Sequence, residues 1–583
     1  MKGSSLCLLF LIVCLSSTGF AQSLERPNVI LIITDDQGYG DLGVTGNPFI
    51  KTPTLDQLAG ESIRFNNFYV SPVCAPTRAS LMTGRYSLRT GVRDTYNGGA
   101  IMSPNETTIA EMLQAGGYQT GAFGKWHLGD NYPSRPMDQG FDESVIHLSG
   151  GMGQVGDFTT YFKKDSSYFD PVLWHNGEQE AYDGYCSDIF TDQAIKFIDA
   201  HREEPFFCYI AFNAPHTPLQ VPDEYYQMYQ DIDPSRGPNG AGLPVPEMSE
   251  RDKEAARKVY AMVTNIDDNI KKILDHLDKL QIADNTIVIF MTDNGPQQRR
   301  YIAGMRGRKG SVYRGGVRVP FYLRYPALAK NMEIDVSTAH IDVLPTLAQL
   351  CGADLPEYTQ LDGKSLVPLL QDPEVEWPER SLFFYWTRRY PELYHNIALQ
   401  RGPYKLVGQG SYDATISEFG LFNLEADPAE QHNLIREQTL IGQALKNELD
   451  DTFQELVLSP NLLNPPLIEI GHPTENPTVL NRNDADGERG IWAQEEIFGK
   501  WNVKINPGYY DIRFKFIQPL EAEGALLLET GSITHRKENA TIGTDILEMK
   551  KVYLPALEGE LIPHYSTEGK RIFPFWVELT KIE

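Results

Sequence analysis

Pro27-Asn28-Val29-Ile30-Leu31-Ile32-Ile33-Thr34-Asp35-Asp36-Gln37-Gly38-Tyr39-Gly40-Asp41 sets the fold class of this chain. The apolar run from Val29 to Ile33 has the length of a strand and does not alternate with polar residues. A half-exposed strand would alternate. A continuous run belongs to a strand covered on both faces, as in the parallel sheet of an α/β domain. It gives way at once to two carboxylates, Asp35 and Asp36. Open α/β sheets bind ligands beyond the carboxyl ends of their strands. These acids are therefore either solvated loop residues or ligands for a hard cation that prefers oxygen.

The pattern recurs downstream. Gln119 to Phe123 reads as a strand ending at Gly124-Lys125-Trp126-His127-Leu128-Gly129. Phe206 to Phe212 reads as a buried strand ending at Asn213-Ala214-Pro215-His216-Thr217-Pro218. Thr286 to Met291 is another, ending at Thr292-Asp293-Asn294-Gly295. Asn-Gly is also a hairpin-turn signal. Yet Asp35, Asp36, Asp293 and Asn294 form four oxygen side chains at ends of expected parallel strands, a set that suits Ca2+ or Mg2+ better than zinc. Helical spacing is expected from Thr52 to Ala59, Thr107 to Ala115, Asp188 to Asp199 and Arg251 to Leu280. Residues 150–185, rich in Gly, Asp and aromatics, read as long surface loops. Lys309 and Arg314 lie in two basic, glycine-rich stretches that either contact an anion or form a cationic surface loop.

At 583 residues the chain is long for one core. Residues 1–21 read as a secretory signal: Lys2, an apolar run from Leu6 to Leu15, and a small-residue cleavage site after Ala21. A secreted or periplasmic protein without a transmembrane segment is expected. The net charge of −26 argues against nucleic-acid binding. It would also repel an anionic substrate unless the site carried its own cations. Cys74, Cys186, Cys208 and Cys351 remain after the signal; their spacing fits no zinc motif and leaves pairing of Cys186 with Cys208 open. The expected organisation is a catalytic α/β domain over 22–376, a small sheet-plus-helix subdomain over 377–458, a proline-rich linker over 459–476 and an all-β sandwich over 477–583.

Ser71-Pro72-Val73-Cys74-Ala75-Pro76-Thr77-Arg78-Ala79-Ser80-Leu81-Met82-Thr83-Gly84-Arg85 carries the chemistry. Alone, Cys74 is a thiol nucleophile, a core residue or half of a disulfide. The pattern Cys-x-Pro-x-Arg, then Ala-Ser-x-x-Thr-Gly-Arg, resembles the signature of the type I sulfatases, of alkaline-phosphatase-like fold, in which a dedicated enzyme converts the cysteine to formylglycine. The likeness covers most of residues 27–435. It includes the Asp35-Asp36 strand end, Gly124 to Gly129, Pro215-His216-x-Pro218, Thr292 to Gly295, Gly315-Gly316-x-Arg318-Val319-Pro320, Leu361-Asp362-Gly363-x-Ser365-Leu366 and Leu421-Phe422-Asn423-Leu424-x-x-Asp427-Pro428.

The resemblance implies a large, mainly parallel sheet flanked by helices. It implies Asp35, Asp36, Asp293 and Asn294 as ligands of Ca2+, with Mg2+ the lesser alternative. It implies Cys74 as the formylglycine precursor, and Arg78, Lys125, His127, His216 and Lys309 as the sulfate-binding and proton-transfer set. The implied reaction is hydrolysis of a sulfate ester through a formylglycine hydrate and a covalent sulfo-enzyme. Its expected substrate is a sulfated carbohydrate, such as an algal glycan (ulvan or carrageenan) or a glycosaminoglycan. Partners are that glycan and a formylglycine-generating or equivalent maturation enzyme. Arg314 stands where the family often has Glu, which suggests an extra cation near the substrate. The rival readings are a phosphoryl or phosphonate ester hydrolase of the same superfamily and a non-catalytic glycan-binding protein.

Overall fold

Val29, Leu31 and Ile33 point to one face of their strand and Ile30 and Ile32 to the other, and all five are fully buried. That is why the run is continuous: each face has its own core. The computed structural model describes residues 26–236, 245–328, 331–356 and 360–583. The signal-peptide reading and its cleavage near Ala21 lie outside the described residues. Among those residues no helix is long and apolar enough to cross a membrane.

In chain order the first strands are β1 (Asn28–Thr34), β2 (Ile63–Phe65), β3 (Phe68–Tyr69), β4 (Gln119–Lys125), β5 (Glu143–His147), β6 (Val172–His175), β7 (Glu178–Ala181), β8 (Phe206–Ala211), β9 (Thr286–Thr292), β10 (Arg318–Val319), β11 (Phe321–Arg324), β12 (Met332–Ile334) and β13 (Thr338–Ala339). Ten of them form one sheet in the order β12-β2-β11-β9-β1-β8-β4-β5-β6-β7. Its centre, β9-β1-β8-β4-β5, is parallel throughout. Helices pack on both sides. Cys74–Thr83 and Val343–Cys351 lie over the face of Val29 and Leu31, and Cys186–Ala200 and Glu250–Leu280 over the face of Ile30 and Ile32. The longest helix, Glu250–Leu280, starts with Ser249 accepting from the Asp252 amide. That cap supplies one of the first turn's missing acceptors. A second, antiparallel sheet of four strands, Ser381–Tyr385, Ile397–Arg401, Tyr404–Gly408 and Gly420–Asn423, packs against the helix Thr439–Val457.

The C-terminal strands make two further sheets that share one core around Trp501, Phe514, Leu528 and Val577. They form a sandwich, because each sheet is apolar on its inner face only. The expected linker over 459–476 needs correction. It holds a short helix, Pro460–Leu463, and a strand, Ile468–Ile470, that pairs in parallel with Gly499–Ile505 and buries both isoleucines. A strand of only three residues between Pro466 and Pro473 is too short to show a periodicity of its own. Residues 150–185 also differ from the surface loops expected. Val172–His175 and Glu178–Ala181 extend the main sheet, and Met152, Asp157 and Thr160 are buried. Polar residues survive there because they satisfy each other, as where the Thr160 hydroxyl donates to Asp157. Ile533–Asn539 shows no apolar alternation because it is a charged edge strand with no buried residue. Cys74, Cys186, Cys208 and Cys351 are all free and buried.

Candidate active site

Parallel pairing brings four strand ends to one edge of the sheet. Thr34 of β1 stands opposite Thr292 of β9, and Ile33 of β1 and Gly124 of β4 both stand opposite Ala211 of β8. The next residues along each strand are therefore neighbours: Asp35 and Asp36, Lys125 and His127, His216, and Asp293 and Asn294. Gly124 is required at its place. Its φ is +114°, and a Cβ there would stand 2.0 Å from the Ala211 carbonyl oxygen. Asp36 and His127 also hold positive φ, 64° and 61°. Such strain in non-glycine residues persists only where surrounding contacts over-determine it.

Cys74 opens the helix Cys74–Thr83 and is buried, with its Sγ 3.5 Å from His127 Nδ1. One oxygen each of Asp35 and Asp293 lies within 4.8 Å of that sulfur and of each other. Arg78, one helical turn on, donates to Asp293 Oδ2 at 3.0 Å and to the Lys125 carbonyl at 3.0 Å. Lys125 Nζ donates to Asp35 Oδ2 at 2.5 Å and to the Gly150 carbonyl at 2.6 Å. Lys309 Nζ lies 2.7 Å from Asp36 Oδ1, which also accepts from Asn294 Nδ2 at 2.8 Å. The ten residues that the resemblance implies for the site thus converge, His216 through its Nε2 3.7 Å from Asp36 Oδ2. Three cations, Arg78, Lys125 and Lys309, balance three carboxylates, and a hard cation bound among the oxygens would turn the site positive toward an anionic substrate.

Asp35 Oδ1, Asp36 Oδ2 and Asn294 Oδ1 are fully buried and accept no hydrogen bond from any described residue. A buried oxygen without a partner costs about 1–3 kcal/mol, more when charged. Three of them on one cluster, with Asp293 beside them, could hold a divalent cation, and their all-oxygen chemistry suits a hard one. Among the described residues, the groupings close enough to share an ion are dominated by carboxylates, with His216 and Cys74 contributing one nitrogen and one sulfur, short of the set that zinc selects.

Burial opposes the charge of Asp35, but Lys125, His216 and Lys309 outweigh it and hold the carboxyl well below its ordinary range. Burial and the Asp35 charge push Asp293 upward. Burial also raises the Cys74 thiol in spite of Lys125 and Lys309. An activated thiolate would show the opposite shift. Burial pulls His127 down, helped by Lys125, and pulls His216 down against Asp35. The tautomer of His127 follows from its partner. Its Nε2 lies 2.7 Å from the Thr95 carbonyl, which can only accept, so Nε2 carries the proton and Nδ1 turns its lone pair to residue 74.

Arg314 does not face this cluster. Its guanidinium donates to the Pro428 carbonyl and to Asn67 Oδ1, and its backbone N–H to Glu430. The extra substrate cation expected there is absent, and Asp36 holds Lys309 without it. Three partners had no signal in the sequence: Thr95, the Gly150 carbonyl, and Tyr209, whose hydroxyl lies 3.3 Å from Arg78. Two act through backbone oxygens that any residue offers, and Tyr209 reads as one more apolar residue in a buried strand.

The sulfatase family profile matches residues 27–353, and that of the N-sulphoglucosamine sulphohydrolase C-terminal region matches 308–457. Arylsulfatase A of Homo sapiens is 32% identical over 461 residues, covering 70% of this chain and 83% of that protein. An ulvan-active sulfatase of Formosa agariphila is 29% identical over 444 residues, covering 73% and 80%. The crystal structure of Ps i-CgsB in complex with k-i-k-neocarrahexaose superposes with a TM-score of 0.63 at 29% identity, covering 75% of this chain and 94% of that one. Both profile matches end before the β-sandwich.

Proposed function

The chain belongs to the sulfatase family and is a sulfuric ester hydrolase, and from that premise we propose that it removes sulfate from a carbohydrate, with residue 74 converted to formylglycine. The observation that carries the mechanism is the buried Cys74, its Sγ 3.5 Å from His127 Nδ1 and within 4.8 Å of oxygens of Asp35 and Asp293, with burial raising the thiol rather than activating it. Such a thiol is a poor nucleophile and a well-placed precursor. The names of the relatives, one ulvan-active and one bound to a carrageenan oligosaccharide, support a sulfated glycan as substrate.

Asp35, Asp36, Asp293 and Asn294 would hold the metal, Ca2+ by their all-oxygen chemistry, and it would supply Lewis-acid polarisation of sulfate oxygens. As a hydrated aldehyde, residue 74 would offer two hydroxyls on one carbon, one for attack on sulfur and one to expel sulfate as the carbonyl re-forms. Arg78, Lys125 and Lys309 present N–H donors to the charge that develops on the sulfate, each such donor being worth about 2.7–4 kcal/mol. Asp293 takes the proton of the attacking hydroxyl. His127, with the Nδ1 lone pair toward residue 74, takes the proton of the second hydroxyl during elimination. His216 keeps Nδ1 engaged with the Thr217 carbonyl at 2.7 Å, leaving Nε2 to carry a proton to the leaving alcohol with Lys309 beside it. An arriving anionic ester favours that protonation.

The test has two arms on natively produced enzyme. Mass spectrometry of the peptide bearing residue 74 is expected to find aldehyde in place of thiol, which also requires a maturation enzyme as partner. Active protein with an unmodified cysteine would end the formylglycine reading. A panel of defined sulfated sugars is expected to yield turnover on at least one. Activity confined to small aryl sulfates would end the glycan reading.

A further inference from the structure

The segment after Tyr385 reaches the rim of the site from the small subdomain, and it touches the site's framework on two sides. Arg388 donates from one nitrogen to Asp94 Oδ1 and to the Thr95 hydroxyl, each at 2.9 Å. Thr95 is the residue whose carbonyl fixes His127. On the other side, Trp386 lies over Gly310, where an added Cβ would meet the indole at 3.0 Å. Asn396 ties the two together, donating to the Gly310 carbonyl at 2.8 Å and to the Trp386 carbonyl at 2.7 Å. Gly310 follows Lys309 directly.

Arg388 is set among aromatic rings, with its guanidinium carbon 4.6 Å from the centroid of Tyr96 and 4.7 Å from that of Trp386. Tyr96 in turn stands 5.7 Å from Trp492, which belongs to the β-sandwich. The Arg388 side chain remains 38% exposed. An arginine has five N–H donors in a planar fork, and among the described residues only one nitrogen of Arg388 is engaged. The remaining donors can serve a carboxylate or sulfate, while the partly exposed rings offer apolar surface for a pyranose.

The charge balance points the same way. Arg388 pairs with Asp94, and the guanidinium groups of Arg93 and Arg389 stand 4.9 and 5.7 Å from the Tyr390 ring, so cations collect here in a chain whose net charge is −26. The loop is held rather than loose. Arg389 has φ +76°, a left-handed conformation that a long side chain adopts only under constraint. Its N–H donates to Asp94 Oδ2 at 2.7 Å, its guanidinium to the Gly487 carbonyl at 2.6 Å, and the next hydroxyl, Tyr390, to Asp486 Oδ2 at 2.9 Å. The last two acceptors come from the β-sandwich, which thereby braces the loop from outside.

We propose that Arg388, backed by Tyr96, Trp386 and Trp492, is a specificity-determining residue that binds a second anionic group on the sugar adjoining the one desulfated. The preferred substrate is then a polyanionic saccharide, and the β-sandwich helps to shape its site. This rests on the carbohydrate reading above.

Three saccharides that share the reacting sulfated sugar, chosen as the one wild type turns over fastest, separate the two. Their neighbouring sugars bear a carboxylate, a second sulfate or no charge. Wild type is expected to favour one charged neighbour over the neutral one, and which one identifies the anion. Arg388→Ala is expected to lower that preference in kcat/KM about 10- to 100-fold, chiefly through KM. At 1.4 kcal/mol per factor of ten this is about 1.4–2.8 kcal/mol. Arg388→Gln, which keeps a donor toward Asp94 while removing the charge, is expected to lose the preference likewise, and Arg388→Lys to keep part of it. Equal losses on charged and neutral saccharides would overturn the proposal, since a purely structural role predicts them. A wild type without preference would overturn it while leaving the glycan reading intact. Turnover of a small aryl sulfate but of no saccharide would overturn both.

Discussion

Replacing Lys125 by Met removes one ammonium group and keeps most of the side chain's volume. Its two partners, Asp35 Oδ2 at 2.5 Å and the Gly150 carbonyl at 2.6 Å, lie in a site closed to solvent. Breaking a buried ion pair by deleting one member costs about 3–5 kcal/mol, because the other charge is left uncompensated. The same change deletes a donor to the developing sulfate charge, worth about 2.7–4 kcal/mol or roughly 100- to 1,000-fold in kcat. The two effects separate experimentally. Turnover of a small aryl sulfate reads the second. Calorimetry with Ca2+ and with a chelator reads the first, because a bound cation takes over part of the neutralisation of Asp35. The gap between the two melting temperatures is therefore expected to widen in Lys125→Met.

The pH dependence has a definite sign. In the wild type the Asp35 carboxyl is depressed, so its contribution is present above the ordinary carboxylate range and is lost as pH falls through the folded value. Without Lys125 burial is opposed only by His216, Lys309 and Arg78, so the folded value rises and the metal-free variant loses less stability on acidification. Activity within tenfold of wild type, together with an unchanged melting gap, would refute the assignment of Lys125 to both the sulfate and Asp35.

Asn294→Leu removes one of the unpartnered oxygens and the donor to Asp36; it is expected to weaken Ca2+ binding by tenfold or more, read by calcium titration of the chelated protein. Burial pushes Asp157 up to about 7, against its hydrogen bonds from Thr160 and Thr159. Its folded value lies above the unfolded one, so stability is greatest below the ordinary carboxylate range and is lost as pH rises toward about 7. Asp157→Asn is therefore expected to flatten that slope and to melt higher than wild type at pH ~8, a linkage of the kind just described. Arg314→Ala is expected to hold kcat/KM within about threefold, because its side chain faces Asn67 and Pro428, and to lower stability by about 1–3 kcal/mol through the carbonyl and amide oxygens it leaves unpaired. A large rise in KM would return Arg314 to the substrate site.

The sequence by itself determined the α/β class through local signals: continuous apolar runs mark strands covered on two faces, and polar residues following such runs mark the edge where parallel strands end together. The same signal marked Asp35, Asp36, Lys125, His127, His216, Asp293 and Asn294 as strand-end residues, whereas Cys74, Arg78 and Lys309 joined them through the resemblance to the type I sulfatases. The helix Glu250–Leu280 was equally legible, since 31 residues with a capped start and a sustained period leave little ambiguity. The short strand Ile468–Ile470 and the charged edge strand Ile533–Asn539 were not, because pairing partners far along the chain stabilise them and no periodicity of their own does. Nor could the sequence orient Arg314, whose direction is set by Asn67, Pro428 and Glu430 from two other segments. Only the tertiary structure decided which backbone carbonyl fixes the His127 tautomer, and that a loop from the small subdomain, braced by the β-sandwich, stands beside the site. Those are contacts between residues tens to hundreds of positions apart, made through backbone atoms and shape, and the order of residues along a chain does not encode them locally.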